Sequence, residues 1–138
     1  MTSVTRTMKF NHISFPSRDV DATAAFFERF LGCSATRFGS SQILKRHDFD
    51  IVIEDASDRP VDWPGNFHIG FEVPTALDVD SLYVEFEKGG AQLATGVLRH
   101  ARGSRFFAAI PGGVHVEINT REDAAEAYRA SFGQPTSA

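Results

Sequence analysis

Cysteine is almost absent from this chain. Cys33 stands alone, so no internal disulfide can form, and a lone thiol suits a reducing compartment. Long apolar runs are missing as well, and none approaches the roughly eighteen residues that a membrane span requires. Residues 1–7 are polar and lack the apolar stretch of a secretory signal, so a cytoplasmic location is expected. No basic run occurs and the formal net charge is -4, which offers a nucleic acid nothing to grip. Tryptophan appears once and Met and Tyr twice each, whereas Phe appears 13 times. Apolar surface is therefore largely phenylalanine, enough to fill a core and also line a pocket. At 138 residues the chain suits one domain whose core needs no covalent staples.

What is present is a pattern stated twice. In Asn66–Val73, Phe67, Ile69, Phe71 and Val73 alternate with His68, Gly70 and Glu72, the mark of a strand with one apolar face. Asn11-His12-Ile13-Ser14-Phe15 has the same plan. Each His leads into a polar turn and a short amphipathic helix, with Phe26, Phe27 and Phe30 in one copy and Leu82, Tyr83 and Phe86 in the other. Each copy then closes on a strand bearing a glutamate, Ile51-Val52-Ile53-Glu54 and Val114-His115-Val116-Glu117. Two copies are too few for a solenoid and point to paired halves sharing a sheet or a cavity.

Taken in order, Lys9–Phe15 reads as a strand ended by Pro16, and Asp19 or Asp21 caps a helix over Ala22–Leu31, stopped by Gly32. Strands follow at Cys33–Phe38, Gln42–Arg46 and Phe49–Glu54. After the Pro-rich segment 55–65, the second copy runs from the Asn66 strand to a helix capped by Asp78 and ending near Lys88. Strands at Gln92–Leu98, Arg105–Ile110 and Val114–Asn119 complete it, with a Pro111-Gly112-Gly113 turn between the last two. Thr120 is expected to cap a terminal helix with Asp123 as its partner carboxylate, held down by Tyr128 and Phe132. The expected fold is α+β: two βαβββ modules whose sheets curl into a mixed sheet around an open cleft, helices outside. The single domain so read spans 8–120, with modules at 8–54 and 66–120, a linker at 55–65, a helix at 121–133 and a disordered tail at 134–138.

His12, Glu54, His68 and Glu117 share a parity: their strand neighbours Ile13, Ile53, Ile69 and Val116 are aliphatic and seek the helix-covered side. The His and Glu side chains are thereby turned to the opposite face. Imidazoles and carboxylates converging in a cleft form an N/O site for a divalent cation, with Zn, Ni, Co, Mn and Fe(II) all compatible. His115, on the face of Glu117, is either a rim residue or a substrate contact. Arg99, Arg102 and Arg105 flank a Gly-containing loop and are candidates for clamping an anionic substrate. Glu72 falls on the same face beyond His68, whereas His47, His100 and Cys33 read as structural or exposed.

The segments NHISFPSRDVDATAAFFERFLG, FHIGFEV and FFAAIPGGVHVEI resemble the vicinal oxygen chelate superfamily of glyoxalase I, bleomycin-binding proteins and extradiol dioxygenases. The resemblance runs from Phe10 to Asn119 and implies the glyoxalase-like fold. Position by position it matches His12, His68 and Glu117 to the metal ligands of the metal-dependent members, and Glu54 to the fourth ligand of glyoxalase I. A two-residue slip would put Val52 in that fourth place. Pro16 and Asp58 stand where glyoxalase I has an Arg and an Asn that hold glutathione, and Phe107 stands where dioxygenases and fosfomycin-resistance enzymes have a Tyr.

The resemblance implies a metal-dependent lyase or isomerase acting on a small vicinal-oxygen substrate other than a glutathione adduct, with Glu54 and Glu117 catalytic. His115, Phe107 and Arg105 are the expected substrate contacts. The alternatives are an Fe(II) extradiol-type dioxygenase and a metal-independent small-molecule or antibiotic-binding resistance protein. Family cavities are often completed by a partner chain, so a homodimer is expected, without nucleic-acid or membrane partners.

Overall fold

The computed structural model describes residues 6–132. The first five residues of the expected lead-in and the whole of the tail at 134–138 lie outside the described residues. The chain divides into two units between Val61 and Asp62, within the segment expected as a linker. Each unit is one βαβββ module, and the fold is α+β. No helix among the described residues is long and apolar enough to cross a membrane.

The first module contains β1 (His12–Ser17), α1 (Val20–Phe30), β2 (Ser34–Phe38), β3 (Ser41–Lys45) and β4 (Asp50–Asp55). Its four-stranded sheet is ordered β1-β4-β3-β2, with β1 parallel to β4 and the other pairs antiparallel. Helix α1 starts where the Asp19 carboxylate accepts the Ala22 amide, and it ends before Gly32, whose φ of +68° suits a residue without a side chain. Phe27 is fully buried against Phe15, with Leu44, Ile51 and Ile53 beside them in the core. Ser17 is buried too, its hydroxyl bonded to Thr23 and to the Asp19 amide. Burial pushes the Cys33 thiol upward against the pull of Arg46, so it stays protonated and behaves as a small core residue.

The second module contains β5 (His68–Glu72), α2 (Ala76–Lys88), β6 (Gln92–Leu93), β7 (Arg105–Ala109) and β8 (His115–Asn119), and its sheet is ordered β5-β8-β7-β6. Phe106, Val116 and Ile118 are buried on one face, and Phe106 lies edge-on to Tyr83 and Phe86 of α2. The alternate residues of β7 and β8 therefore face away from the helix.

Four expectations change. Pro16 does not end β1: it sits in an edge strand, where a missing N–H costs no ladder bond. Helix α2 is capped by Thr75, not Asp78; Asp78 is the third helical residue and closes a capping box with the Thr75 amide. β6 is shorter than expected because Ala94 and Thr95 both donate to the Phe107 carbonyl, a two-against-one arrangement that breaks the ladder until Leu98 bridges to Arg105. The helix expected over 121–133 is absent from its described part except for one 3-10 turn, Glu126–Tyr128. Asp123 is engaged elsewhere, accepting the Ser104 amide at 2.9 Å and the Ser104 hydroxyl at 2.5 Å, so it cannot close a capping box.

That loop also depends on Gly103. Its φ is +107°, and a Cβ there would lie 1.9 Å from the Thr120 carbonyl oxygen. Gly103→Ala should cost about 2 kcal/mol or more in stability. Gly96→Ala, where a Cβ meets nothing within 4 Å, should change stability by less than about 0.5 kcal/mol. Urea midpoints of the two variants, measured side by side, check the difference.

Candidate functional site

The face of the second sheet opposite α2 forms the floor of a cavity of about 700 Å³. Strand register sorts its residues into rows. His68 is level with His115 and Ala109, Gly70 with Glu117 and Phe107, and Glu72 with Asn119 and Arg105. Rows are separated by about 7 Å, two residues along a strand. The lining is completed by Arg102, Arg121, Tyr128, Ser131 and Phe132 from the loop before β7 and the segment after β8.

His68 and Glu117 are brought together on this floor. The His68 Nε2 lies 3.6 Å from Glu117 Oε1, while the ring stands edge-on to Phe107 with centroids 5.3 Å apart. His68 Nδ1 lies 2.9 Å from the Asn66 carbonyl oxygen, an acceptor only. Nδ1 therefore carries the proton, and in the neutral ring the lone pair is on Nε2. Glu117 is buried, with only 9% of its side chain exposed, and its Oε2 accepts Asn119 Nδ2 at 2.5 Å. A nitrogen lone pair and a carboxylate oxygen 3.6 Å apart fit one divalent cation, since each ligand bond is about 2.1 Å long. A hydrogen-bond partner behind each ligand atom is the usual support for such a site. Among the described residues, no group of three or more His, Cys, Asp or Glu side chains is gathered for a metal ion.

In the first module, His12 is exposed and its Nδ1 donates to Asn11 Oδ1 at 2.6 Å. Glu54 is exposed and accepts the Ser14 hydroxyl at 2.6 Å. The register of β1 on β4 pairs His12 with Asp50, Ser14 with Val52 and Pro16 with Glu54. In β5 and β8, the residue two beyond the His pairs with Glu117, and the residue four beyond pairs with Asn119. Val52 is thus the counterpart of Glu117 in strand position, and Glu54 is the counterpart of Asn119. Glu54 keeps the face expected for it but stands one row further along.

Of the other expected contacts, Phe107 and Arg105 line the cavity, and His115, although level with His68, does not. Arg99 is tied to Asp80 through two bonds and to the Ser104 hydroxyl, which removes it from the cationic trio. Asn119, Arg121 and Tyr128 were not anticipated from the sequence as cavity residues. Alternation on β8 would have found Asn119, two residues beyond Glu117; no period marks the other two. Asn119 Oδ1, Arg105 Nε and Arg121 Nε are buried without hydrogen-bond partners.

The cavity edge is held by Asp123. The residue as a whole is exposed, but its carboxyl is turned onto Ser104. Burial pushes its pKa up, yet the bonds from the Ser104 hydroxyl and amide outweigh it and hold the carboxyl below its ordinary value. A carboxyl lowered on folding contributes stability above its unfolded pKa, about 3.9, and loses it as pH falls through the folded value. Asp123→Asn should therefore lower the urea midpoint at pH 6, and the gap to the parent should narrow progressively below about pH 4.

The model of the Glyoxalase/Bleomycin resistance protein/Dioxygenase superfamily matches residues 9–118. Among solved structures, a possible glyoxalase from Bacillus cereus is 22% identical with a TM-score of 0.71, covering 82% of this chain and 99% of that one. A lactoylglutathione lyase from Agrobacterium tumefaciens is 17% identical with a TM-score of 0.67, covering 84% and 96%. A glyoxalase/bleomycin resistance protein/dioxygenase from Nocardioides is 14% identical with a TM-score of 0.72, covering 99% and 92%. At these identities the likeness speaks for the fold alone. A search of curated proteins found no match to the sequence.

Proposed function

The chain belongs to the Glyoxalase/Bleomycin resistance protein/Dioxygenase superfamily, and on that premise we propose that it is a metal-dependent enzyme of the glyoxalase type. It acts as a lyase or isomerase on a small substrate with two vicinal oxygens, and glutathione adducts are not its substrates. The observation that carries this reading is the pairing of His68 and Glu117, each with one atom tied down and the other turned toward its partner at 3.6 Å.

In this reading His68 Nε2 and Glu117 Oε1 hold a divalent cation. The cation, when bound, supplies Lewis acidity toward a carbonyl oxygen. The rest is work for the chain's own groups. The Asn119 amide fixes Glu117 by one oxygen and keeps the buried carboxylate from rotating. Phe107 walls the same row. In the first module Glu54 is an exposed carboxylate held at one oxygen by Ser14, with the other free to take a proton. Pro16 and Asp58 offer none of the cationic and amide anchors that glutathione needs.

A metal-independent binding protein is the second reading, favoured by the aromatic wall of Phe107, Tyr128 and Phe132. Metal titration separates the two. Chelator-treated protein should bind cobalt(II) by calorimetry, and Glu117→Gln should weaken that binding about tenfold or more. Glu54→Gln should retain it. Parent protein that does not bind cobalt(II), nickel(II), zinc(II), manganese(II) or, anaerobically, iron(II) would put the binding protein ahead. The methylglyoxal–glutathione adduct should not be turned over by the metal-loaded enzyme.

We also propose a homodimer, since Phe10, Phe38 and Leu77 are large apolar side chains left exposed. Light scattering should give twice the chain mass; a single-chain mass at high concentration would refute it.

A further inference from the structure

Beyond Asn119, the third row of the second module's cavity and the lining next to it hold arginines that the metal reading does not use. Arg105 stands level with Asn119 and lines the cavity, and its Nε is buried without a partner. Arg121 lines the same cavity and also has a buried, unpartnered Nε. Its position is set from two sides: one terminal nitrogen donates to the Arg102 carbonyl, and the guanidinium lies 4.6 Å over the Phe132 ring. Arg102 contributes a further guanidinium to the lining. Among the described residues none of these arginines has a carboxylate within ion-pair distance, whereas Arg99, outside the cavity, is paired with Asp80. The acids in the lining are Glu72, exposed at the far end of the third row, and Glu117 in the second. Cationic groups in the lining outnumber acidic ones.

A cavity lined by guanidinium groups that have no carboxylate partner is complementary to an anion. We infer that the substrate carries an oxyanion, a carboxylate or a phosphate, and that Arg105 and Arg121, with Arg102 at the rim, bind it one row beyond Glu117. This names the substrate class of the site proposed above, and it rests on that reading only in taking both rows to serve one molecule. The spacing then sets a size: the oxyanion lies about 7 Å, one two-residue step, from the reacting oxygens.

The test uses full-length, chelator-treated protein titrated with inorganic phosphate and, separately, with malonate. Backbone amide shifts at Arg105, Asn119 and Arg121 report the site. Saturable shifts with phosphate alone assign a phosphate-bearing substrate, and with malonate alone or more tightly a carboxylate-bearing one. Arg105→Gln should raise the dissociation constant of the bound probe about tenfold or more. Glu72→Gln, an exposed change that removes the competing carboxylate, should lower it. No saturable shift with either anion, or binding that neither substitution alters, overturns the proposal. Cobalt(II) binding measured on the same Arg105→Gln sample should equal that of the parent. Anion binding without cobalt binding would sink the metal reading and leave the oxyanion site standing, and the converse result would do the reverse.

Discussion

Every polar group on the floor of the second module's cavity is placed by what must be apolar on the other side of the sheet. Phe106, Val116 and Ile118 are almost completely buried. Strand side chains alternate, so burying these residues turns Arg105, Phe107, Glu117 and Asn119 to the opposite face with no further choice. A one-residue slip of β8 would expose Val116 and Ile118 and drive Glu117 against α2. Each aliphatic side chain withdrawn from water is worth about 1.5–3 kcal/mol, and an unpaired buried carboxylate costs more. The core holds the register, and the site inherits it.

Glu117 is where that inheritance carries a cost. It is buried on the cavity floor with one amide hydrogen bond to one of its oxygens. Gly70, its neighbour in the row, adds no side chain to the cavity floor beside it. A desolvated carboxylate in front of an empty space needs a positive partner or a proton donor. His68 is the group within reach, and its protonated Nδ1 is committed to the Asn66 carbonyl. The arrangement favours something shared between them.

How much of this was legible in the sequence depends on which interaction decides each feature. Alternation in FHIGFEV and VHVEIN placed His68 and Glu117 on one face, because a period of two survives even when strand ends shift. The matching of Glu54 to Glu117 was not secure in the same way. Both strands read as aliphatic–X–aliphatic–Glu, but register comes from which aliphatic residues the helix buries: Ile51 and Ile53 align through β1 as Val116 and Ile118 do through β5. That pairing is tertiary and leaves no local mark. The terminal segment misled for a related reason. Thr120 and Asp123 have the spacing of a capping box, but Ser104, distant in sequence, competes for the same carboxylate with an amide and a hydroxyl. Arg121 and Tyr128 reach the cavity only because the segment takes that other path.

The repeated module is therefore the same in fold but not in chemistry. Where the second module carries Gly70, Glu117 and Asn119, the first carries Ser14, Val52 and Glu54. One module buries a carboxylate beside an amide; the other exposes a carboxylate beside a hydroxyl. Burial and a fixed hydrogen bond make a rigid donor that would be costly to leave unpaired, which suits an anchor. Exposure lets a carboxylate change protonation without a desolvation penalty and turn between partners, which suits a group that must take up a proton and release it. A ligand set that follows the repeat would give both glutamates the same duty. The register and the burial set them in different surroundings, and the asymmetry arises from a two-residue offset between otherwise matching strands.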